Sequence, residues 1–226
     1  MTRQSLELDL SKLRLRHICW IGGGSGAGKT TIAGLLAEEY GLQLYHCDDT
    51  QSAHTARSNA VDHPMLAAFL ALTMDERWVK RTPEEMFHSF HGFHGEGFHL
   101  VLEDLLNLPT EVPVLVEGYK LLPRLIFPLL SRVDQAVWLI PTPEWRRTAF
   151  CQRGSLWSIA GRTSDPETAL TNLLARDALH TEEVARQAAV LQLPTIEVNG
   201  SAPVEELAEC VACCLGLRRN FVFSPA

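Results

Sequence analysis

The chain has 226 residues, 46% of them hydrophobic and 21% charged, enough to bury one substantial core with an elaboration, which excludes a disordered chain. Its formal charge of −7 excludes a general affinity for nucleic acid, because gripping a phosphate backbone takes a concentrated basic surface. No terminal apolar stretch has the form of a signal peptide, and the longest apolar run, around Leu121 to Leu130, is broken by Pro123, Arg124 and Pro128, so a cytoplasmic protein without a membrane partner is expected.

The first expected strand is His17-Ile18-Cys19-Trp20-Ile21, a short apolar run suited to a buried parallel position. After it, Gly23-Gly24-Ser25-Gly26-Ala27-Gly28-Lys29-Thr30 fits the loop G-x-x-x-x-G-K-[ST] at every fixed position. A helix from Thr31 to Tyr40 follows, spaced through Ile32, Leu35 and Leu36. Glycines let such a turn wrap closely around an anion, with N–H groups and the positive helix end facing it. Lys29 is then expected to reach the β and γ phosphates of a nucleoside triphosphate, and the Thr30 hydroxyl to ligate Mg²⁺.

The second strand, Leu42 to Cys47, runs into Asp48-Asp49. A carboxylate there would sit across the crevice from the loop and accept a proton from an attacking hydroxyl or help hold Mg²⁺. Side chains alternate along a strand, so the two cannot face the crevice equally. Asp48 is preferred as base, with Asp49 as the alternative or an acceptor contact, and a cap or turn is the competing reading for both.

Residues 50 to 110 exceed what a sheet connection needs, and helices are expected over Met65–Thr73, Pro83–His91 and Glu96–Asn107. His88, His91, His94 and His99 are interleaved there with Phe87, Phe90, Phe93 and Phe98. Gly92, Gly95 and Gly97 interrupt the helical face and no cysteine is near, which argues against a metal site and leaves two readings, an acceptor pocket including His91, His94 and Glu96 or structural packing. Arg57, Arg77 and Arg81 could form the clamp a monophosphate acceptor needs, so charged and neutral acceptors both stay open. The third strand, Val112 to Glu117, ends in a carboxylate that could order Mg²⁺ or touch the acceptor, with Gly118 allowing a tight turn.

A fourth strand, Gln135 to Ile140, leads into a mainly helical stretch over 143–190 carrying Arg146, Arg147, Arg153 and Arg162 near Gly154 and Gly161. That combination suits a lid, and Arg153 and Arg162 are its expected catalytic guanidinium groups. The fifth strand is Thr195 to Val198. Cys19, Cys47, Cys151, Cys210, Cys213 and Cys214 read as reduced core thiols, and Cys210-Val-Ala-Cys213 lacks the second pair of a zinc site.

The order β-α-β, insertion, β-α-β-α-β-α predicts an α/β protein whose parallel sheet is covered on both faces, with ligands beyond the carboxyl ends of the strands. GGGSGAGKTT, the acidic pair after the second strand and VLVEG together resemble the P-loop kinases of small molecules, especially the uridine kinase and phosphoribulokinase group. The resemblance implies a three-layer P-loop NTPase fold over 1–226, with a mostly parallel five-stranded sheet, a helical insertion and a helical lid. It places Gly23, Gly24, Ser25, Gly26, Ala27, Gly28, Lys29, Thr30 and Thr31 around ATP, and Asn199 to Ser201 beside the adenine. It makes Asp48 the catalytic carboxylate and Glu117 a metal or acceptor contact. Two features depart from that group: Asp48-Asp49-Thr50-Gln51 lacks the aromatic that usually follows, and the His-rich insertion is foreign to it.

The expected activity is ATP- and Mg²⁺-dependent transfer of the γ-phosphoryl group to a hydroxyl of a small molecule. The alternatives are a nucleotide-dependent regulatory switch, which no N-K-x-D segment supports, and a toxin-like or antibiotic-resistance kinase acting on a nucleotide sugar or an antibiotic. A homodimer stays open.

Overall fold

The computed structural model describes residues 12–153 and 155–218, except the side chains of 151–157. Five strands, β1 (Ile18–Gly23), β2 (Gln43–His46), β3 (Val114–Glu117), β4 (Ala136–Pro141) and β5 (Thr195–Val198), form one sheet in the order β2-β3-β1-β4-β5. Every pairing is parallel. β3 starts two residues later than its apolar run suggests, because Pro113 has no N–H for a ladder and serves only as acceptor to Gln43 N at 2.9 Å.

The helices are α1 (Lys29–Tyr40), then α2 (Gln51–Arg57), α3 (Pro64–Ala71), α4 (Met74–Trp78), α5 (Pro83–Ser89), α6 (His91–His94) and α7 (Phe98–Leu106) before β3. After β3 comes α8 (Pro123–Ile126), after β4 come α9 (Pro143–Arg153), α10 (Ser155–Ala160) and α11 (Pro166–Val190), and after β5 comes α12 (Val204–Cys214). Alternation along the strands feeds two cores. Ile21, Leu115, Val137 and Leu139 meet Ile32 and Leu36 of α1 and Val211 of α12 on one face. Ile18, Trp20, Val116 and Trp138 meet Val101 of α7, Ile126 of α8 and Val184 of α11 on the other. Helices on both faces explain why the central strands are near-continuous apolar runs.

The insertion breaks into shorter helices than its pattern suggests. Thr73 accepts from Glu76 N while the Glu76 side chain returns to the Thr73 N–H, a capping box that ends α3 and starts α4. Thr82 and Glu85 do the same for α5, and Phe90, extended at φ −81° and ψ 111°, separates α5 from α6. A third core, holding Trp78, Met86, Phe150, Ala160, Ala169 and Leu173, joins the insertion to α9, α10 and the first half of α11. Insertion and lid region therefore share one hydrophobic cluster.

Cys47 is buried and Cys19 half-buried, but Cys210 and Cys213 are exposed. The core-thiol expectation fails for that pair because α12 turns Ala208, Val211 and Ala212 inward. Among the described residues no helix is long and apolar enough to cross a membrane.

Candidate active site

The phosphate-type loop leaves β1 at Gly23, whose φ of 123° suits glycine and whose added Cβ would stand 2.1 Å from the Leu139 carbonyl oxygen. Gly24 N donates to that same carbonyl at 3.0 Å, which pins the loop to β4. Lys29 opens α1 and is buried, its Nζ donating back to the carbonyls of Gly23 at 3.1 Å and Gly24 at 2.8 Å. The ammonium thus bridges the loop it belongs to. Next to it, the Thr30 hydroxyl donates to Glu117 Oε1 at 3.2 Å.

Glu117 is 3% exposed at the end of β3, and His46 Nδ1 lies 2.8 Å from the same oxygen. The Thr30 hydroxyl and the Glu117 carboxylate are adjacent hard oxygen donors, which fits Mg²⁺, an ion that takes one or two carboxylates and completes its shell with phosphate and water. Among the described residues no three His, Cys, Asp or Glu side chains form a metal cage of their own.

Asp48 follows β2 and is exposed. The surrounding protein nevertheless desolvates its carboxyl and, with the negative charge of Glu117, raises its pKa, while Lys29 and Lys120 pull the other way. Lys120 is 7% exposed and donates from Nζ to Gln51 Oε1. Burial lowers its pKa, and the charge of Asp48 opposes that. Asp48 is thus set among two cations, Lys29 and Lys120, and two carboxylates, Glu117 and Asp49, at the carboxyl edge of the sheet.

The loop separates two cavities. One, of about 430 Å³, has Ser25 at its edge and aromatic walls that include Phe69, Trp78, Phe90, Phe93 and Tyr119, with Arg176 and Asp177 of α11 as its charged members. The other, of about 250 Å³, is lined by Gly26, Ala27, Gly28, Trp145, Ala149 and Gly200 among others. Trp145 presses so closely on Gly200, at φ +77°, that a Cβ there would fall 2.1 Å from the indole. The walls of this second cavity come from the start of α1, from α9 and from the link between β5 and α12, so it adjoins the helix N-terminus at which an anion would bind.

The sequence candidates divide accordingly. Lys29, Thr30, Asp48 and Glu117 come together, and His91 lines the large cavity. His94 instead lies against Phe87, with Nε2 3.1 Å from the Phe87 carbonyl. Glu96 receives the N–H groups of Met65 at 3.0 Å and Leu66 at 2.7 Å, holding the start of α3. Asn199 receives Ser201 N at 3.0 Å and Ser201 Oγ at 2.7 Å, so its side chain builds the turn while its neighbour Gly200 lines the base-sized cavity. Asp49 is exposed beside Asp48.

Among the arginines, Arg146 is buried and donates to Thr181 Oγ1 at 3.1 Å, tying α9 to α11. Arg147 is exposed, and so is Arg162, in the turn between α10 and α11; the side chain of Arg153 lies outside the described residues. The three arginines of the expected phosphate clamp are engaged elsewhere: Arg57 with Glu103 and Asp104, Arg77 with the carbonyls of Phe69 and Leu70, and Arg81 with Glu85 and Ser89. None of them lines the large cavity.

Sequence reasoning missed Lys120, Tyr119, Trp145, Arg176, Asp177 and His180. Tyr119 and Lys120 were within reach, since they directly follow Glu117-Gly118. Arg176 and Asp177 give no local signal, because a charged dipeptide within an amphipathic helix reads as a solvated face.

No family model matches the chain, and no curated protein matches it. Among solved structures, the chain is similar to an uncharacterized protein from Eubacterium ventriosum ATCC 27560, with 15% identity and a TM-score of 0.44 over 89% of this chain and 98% of that one. It is similar to the deoxyadenosine kinase from M. mycoides solved with bound dATP, with 14% identity and a TM-score of 0.45 over 88% of this chain and 98% of that one. It is also similar to NadR protein in complex with NR, with 14% identity and a TM-score of 0.37, covering 98% of this chain and 61% of that one. Likeness at this level bears no weight for the chemistry. The three-layer α/β fold rests on the strand order and on the loop between β1 and α1.

Proposed function

We propose that the protein is an ATP- and Mg²⁺-dependent phosphotransferase that moves the γ-phosphoryl group to a hydroxyl of an uncharged small molecule. The observation that carries this reading is the position of the loop, with a base-sized cavity on one side, an aromatic cavity on the other, and Lys29, Thr30, Glu117 and Asp48 converging at the sheet edge. ATP lying with its base beside Trp145 would have its phosphates wrapped by residues 23 to 30. Lys29 would exchange the carbonyls of Gly23 and Gly24 for phosphate oxygens. Mg²⁺, when bound beside Thr30 and Glu117, supplies neutralisation of charge on the phosphates.

Asp48 would take the proton of the acceptor hydroxyl as the new O–P bond forms and the bond from the γ phosphorus to the bridging oxygen breaks, releasing ADP. Its raised pKa suits that role, because a base works best when its proton affinity approaches the operating pH. An uncharged acceptor is favoured because Arg57, Arg77 and Arg81 are bonded away from the cavity.

The test is to incubate the full chain with ATP, Mg²⁺ and pools of uncharged ring-bearing alcohols, following ADP and the phosphorylated product by mass spectrometry. Acceptor-dependent ADP is expected. Asp48→Asn should lower turnover by about 100-fold or more, the usual share of a general base, with nucleotide affinity nearly intact. ADP formation that ignores the acceptor, or undiminished turnover in Asp48→Asn, overturns the reading.

A further inference from the structure

Between the second strand and the large cavity lies a helix with no apolar anchor of its own. α2 reads Gln51-Ser52-Ala53-His54-Thr55-Ala56-Arg57, and its one buried side chain is His54, 4% exposed. Ser52, Ala53, Ala56 and Arg57 face solvent. Apolar burial therefore cannot set how this helix sits.

Asp104 of α7 sets it instead. Its Oδ2 accepts from the Tyr45 hydroxyl of β2 at 2.8 Å and lies 2.6 Å from His54 Nε2, which carries the hydrogen because a carboxylate can only accept. Its Oδ1 accepts from Arg57 NH1 at 2.8 Å, and the adjacent Glu103 takes Arg57 NH2. Burial opposes charge on Asp104, yet the bonds from His54, Arg57 and Tyr45 outweigh it and hold its pKa below the usual carboxylate value. All three bonds are therefore charge-assisted. α7 is a firm post for them, because its Val101 and Leu105 are buried in the same core as Trp20 and Val116.

The segment held in this way carries much of the site. Asp48 stands between its two tethers, Tyr45 before it and His54 after it, and the Thr50 hydroxyl donates to the Cys47 carbonyl at 3.0 Å across the turn that contains it. Gln51 and Thr55 line the large cavity, Gln51 receiving Lys120 Nζ and donating to Thr55 Oγ1 at 3.2 Å. We propose that Asp104 is a positioning residue, which fixes the base Asp48 and the cavity residues Gln51 and Thr55 in one arrangement through Tyr45, His54 and Arg57. The proposal rests on the phosphotransfer reading given above, in which Asp48 takes the acceptor proton. Asp104 lines neither the large cavity nor the base-sized one, so it acts on the chemistry through that segment.

The test measures turnover of the full chain with and without Asp104→Ala, each carrying either Asp48 or Asp48→Asn, on ATP, Mg²⁺ and the best acceptor from the pools. With Asp48 present, Asp104→Ala should lower kcat about tenfold, less than the roughly 100-fold that a 1 Å displacement of a reacting group can cost. The KM for ATP should stay within about twofold. On the Asp48→Asn background the same substitution should change kcat by less than about twofold, because no base remains to be misplaced. A merely structural role would lower both backgrounds alike. If Asp104→Ala does not fold, Tyr45→Phe, which removes one hydroxyl, should show the same dependence on Asp48 with a loss of about threefold. Equal losses on both backgrounds, or no loss with Asp48 present, overturn the proposal. Amide exchange without ATP keeps the two readings apart: Asp104→Ala should speed exchange across residues 47–57 about tenfold and leave 29–40 unchanged. A native chain without acceptor-dependent turnover sinks the phosphotransfer reading, whereas unchanged exchange across 47–57 sinks the role of Asp104.

Discussion

At the residue scale two imidazoles of the site, His180 and His91, are buried where charge is disfavoured. His180 is 1% exposed, stacked on Phe93 at 3.9 Å between ring centres and 8° between planes, and among the described residues neither of its nitrogens has a hydrogen-bond partner of good geometry, the Tyr119 backbone being a weak neighbour only. Burial lowers its pKa to about 4, and the cations Lys29 and Arg176 add to that while Asp177 opposes it. His91, buried with both nitrogens likewise unpartnered, is also lowered to about 4, by burial and then by Lys120. Their ordinary value is 6.5. Between 6.5 and about 4 the unfolded chain binds protons that the folded chain refuses, so this contribution is complete above 6.5 and is lost as pH falls. The loss should reach about 2 kcal/mol per histidine near pH 5. Urea midpoints are expected to drop between about pH 7.5 and pH 5, with a narrower drop in His180→Phe. A variant whose drop matches that of the native chain would remove His180 from this account. That Lys29 and Thr30 open α1 directly after the loop was legible in the sequence because the motif fixes residue type and spacing at a strand-to-helix turn. His180 was not, because nothing adjacent to it marks the face that meets Phe93.

At the scale of elements, a set of hydrogen bonds ties the insertion, which walls the aromatic cavity, to α11 and the turn before it. Asn172 Nδ2 donates to the Trp78 carbonyl at 3.1 Å and lies 3.4 Å from those of Val79 and Arg81. Asp75 receives Ser164 N at 2.7 Å and Ser164 Oγ at 2.6 Å, fixing α4 to the turn before α11. Asn172→Ala should cost about 1–2 kcal/mol, the range for leaving partly buried carbonyls without their donor. Amide exchange is expected to speed up across residues 74–89 and stay unchanged across 29–40; uniform acceleration would mean that the insertion has no separate stability. The strands were legible to within two residues because buried parallel strands are continuous apolar runs. The insertion was legible as helical but not in its breaks, since the capping boxes at Thr73 and Thr82 interrupt a hydrophobic pattern that runs on regardless. The capping residues were visible, yet no periodicity says which of two adjoining helices a threonine serves.

For the whole molecule, the order of elements read from the sequence predicts the parallel sheet and the edge where its ligands gather, but not that two cavities meet there. Like the loop, α9 contributes to both: Trp145 and Ala149 line the smaller cavity, and the next residue, Phe150, lines the aromatic one. That partition depends on packing between segments distant in sequence. If the cavities hold different ligands, damage to one should leave the other's affinity intact. Trp145→Ala should weaken a non-hydrolysable ATP analogue by about tenfold, the loss of one large aromatic contact with the base. Phe90→Leu, which alters only the aromatic cavity, should change it by less than about twofold, and the double variant should show the product of the two effects, as separate sites do. Calorimetric titration of the analogue into the four proteins measures all of this. Equal weakening by the two single variants would put nucleotide and acceptor chemistry in one continuous cavity, and the loop would then be its floor and no longer a divider.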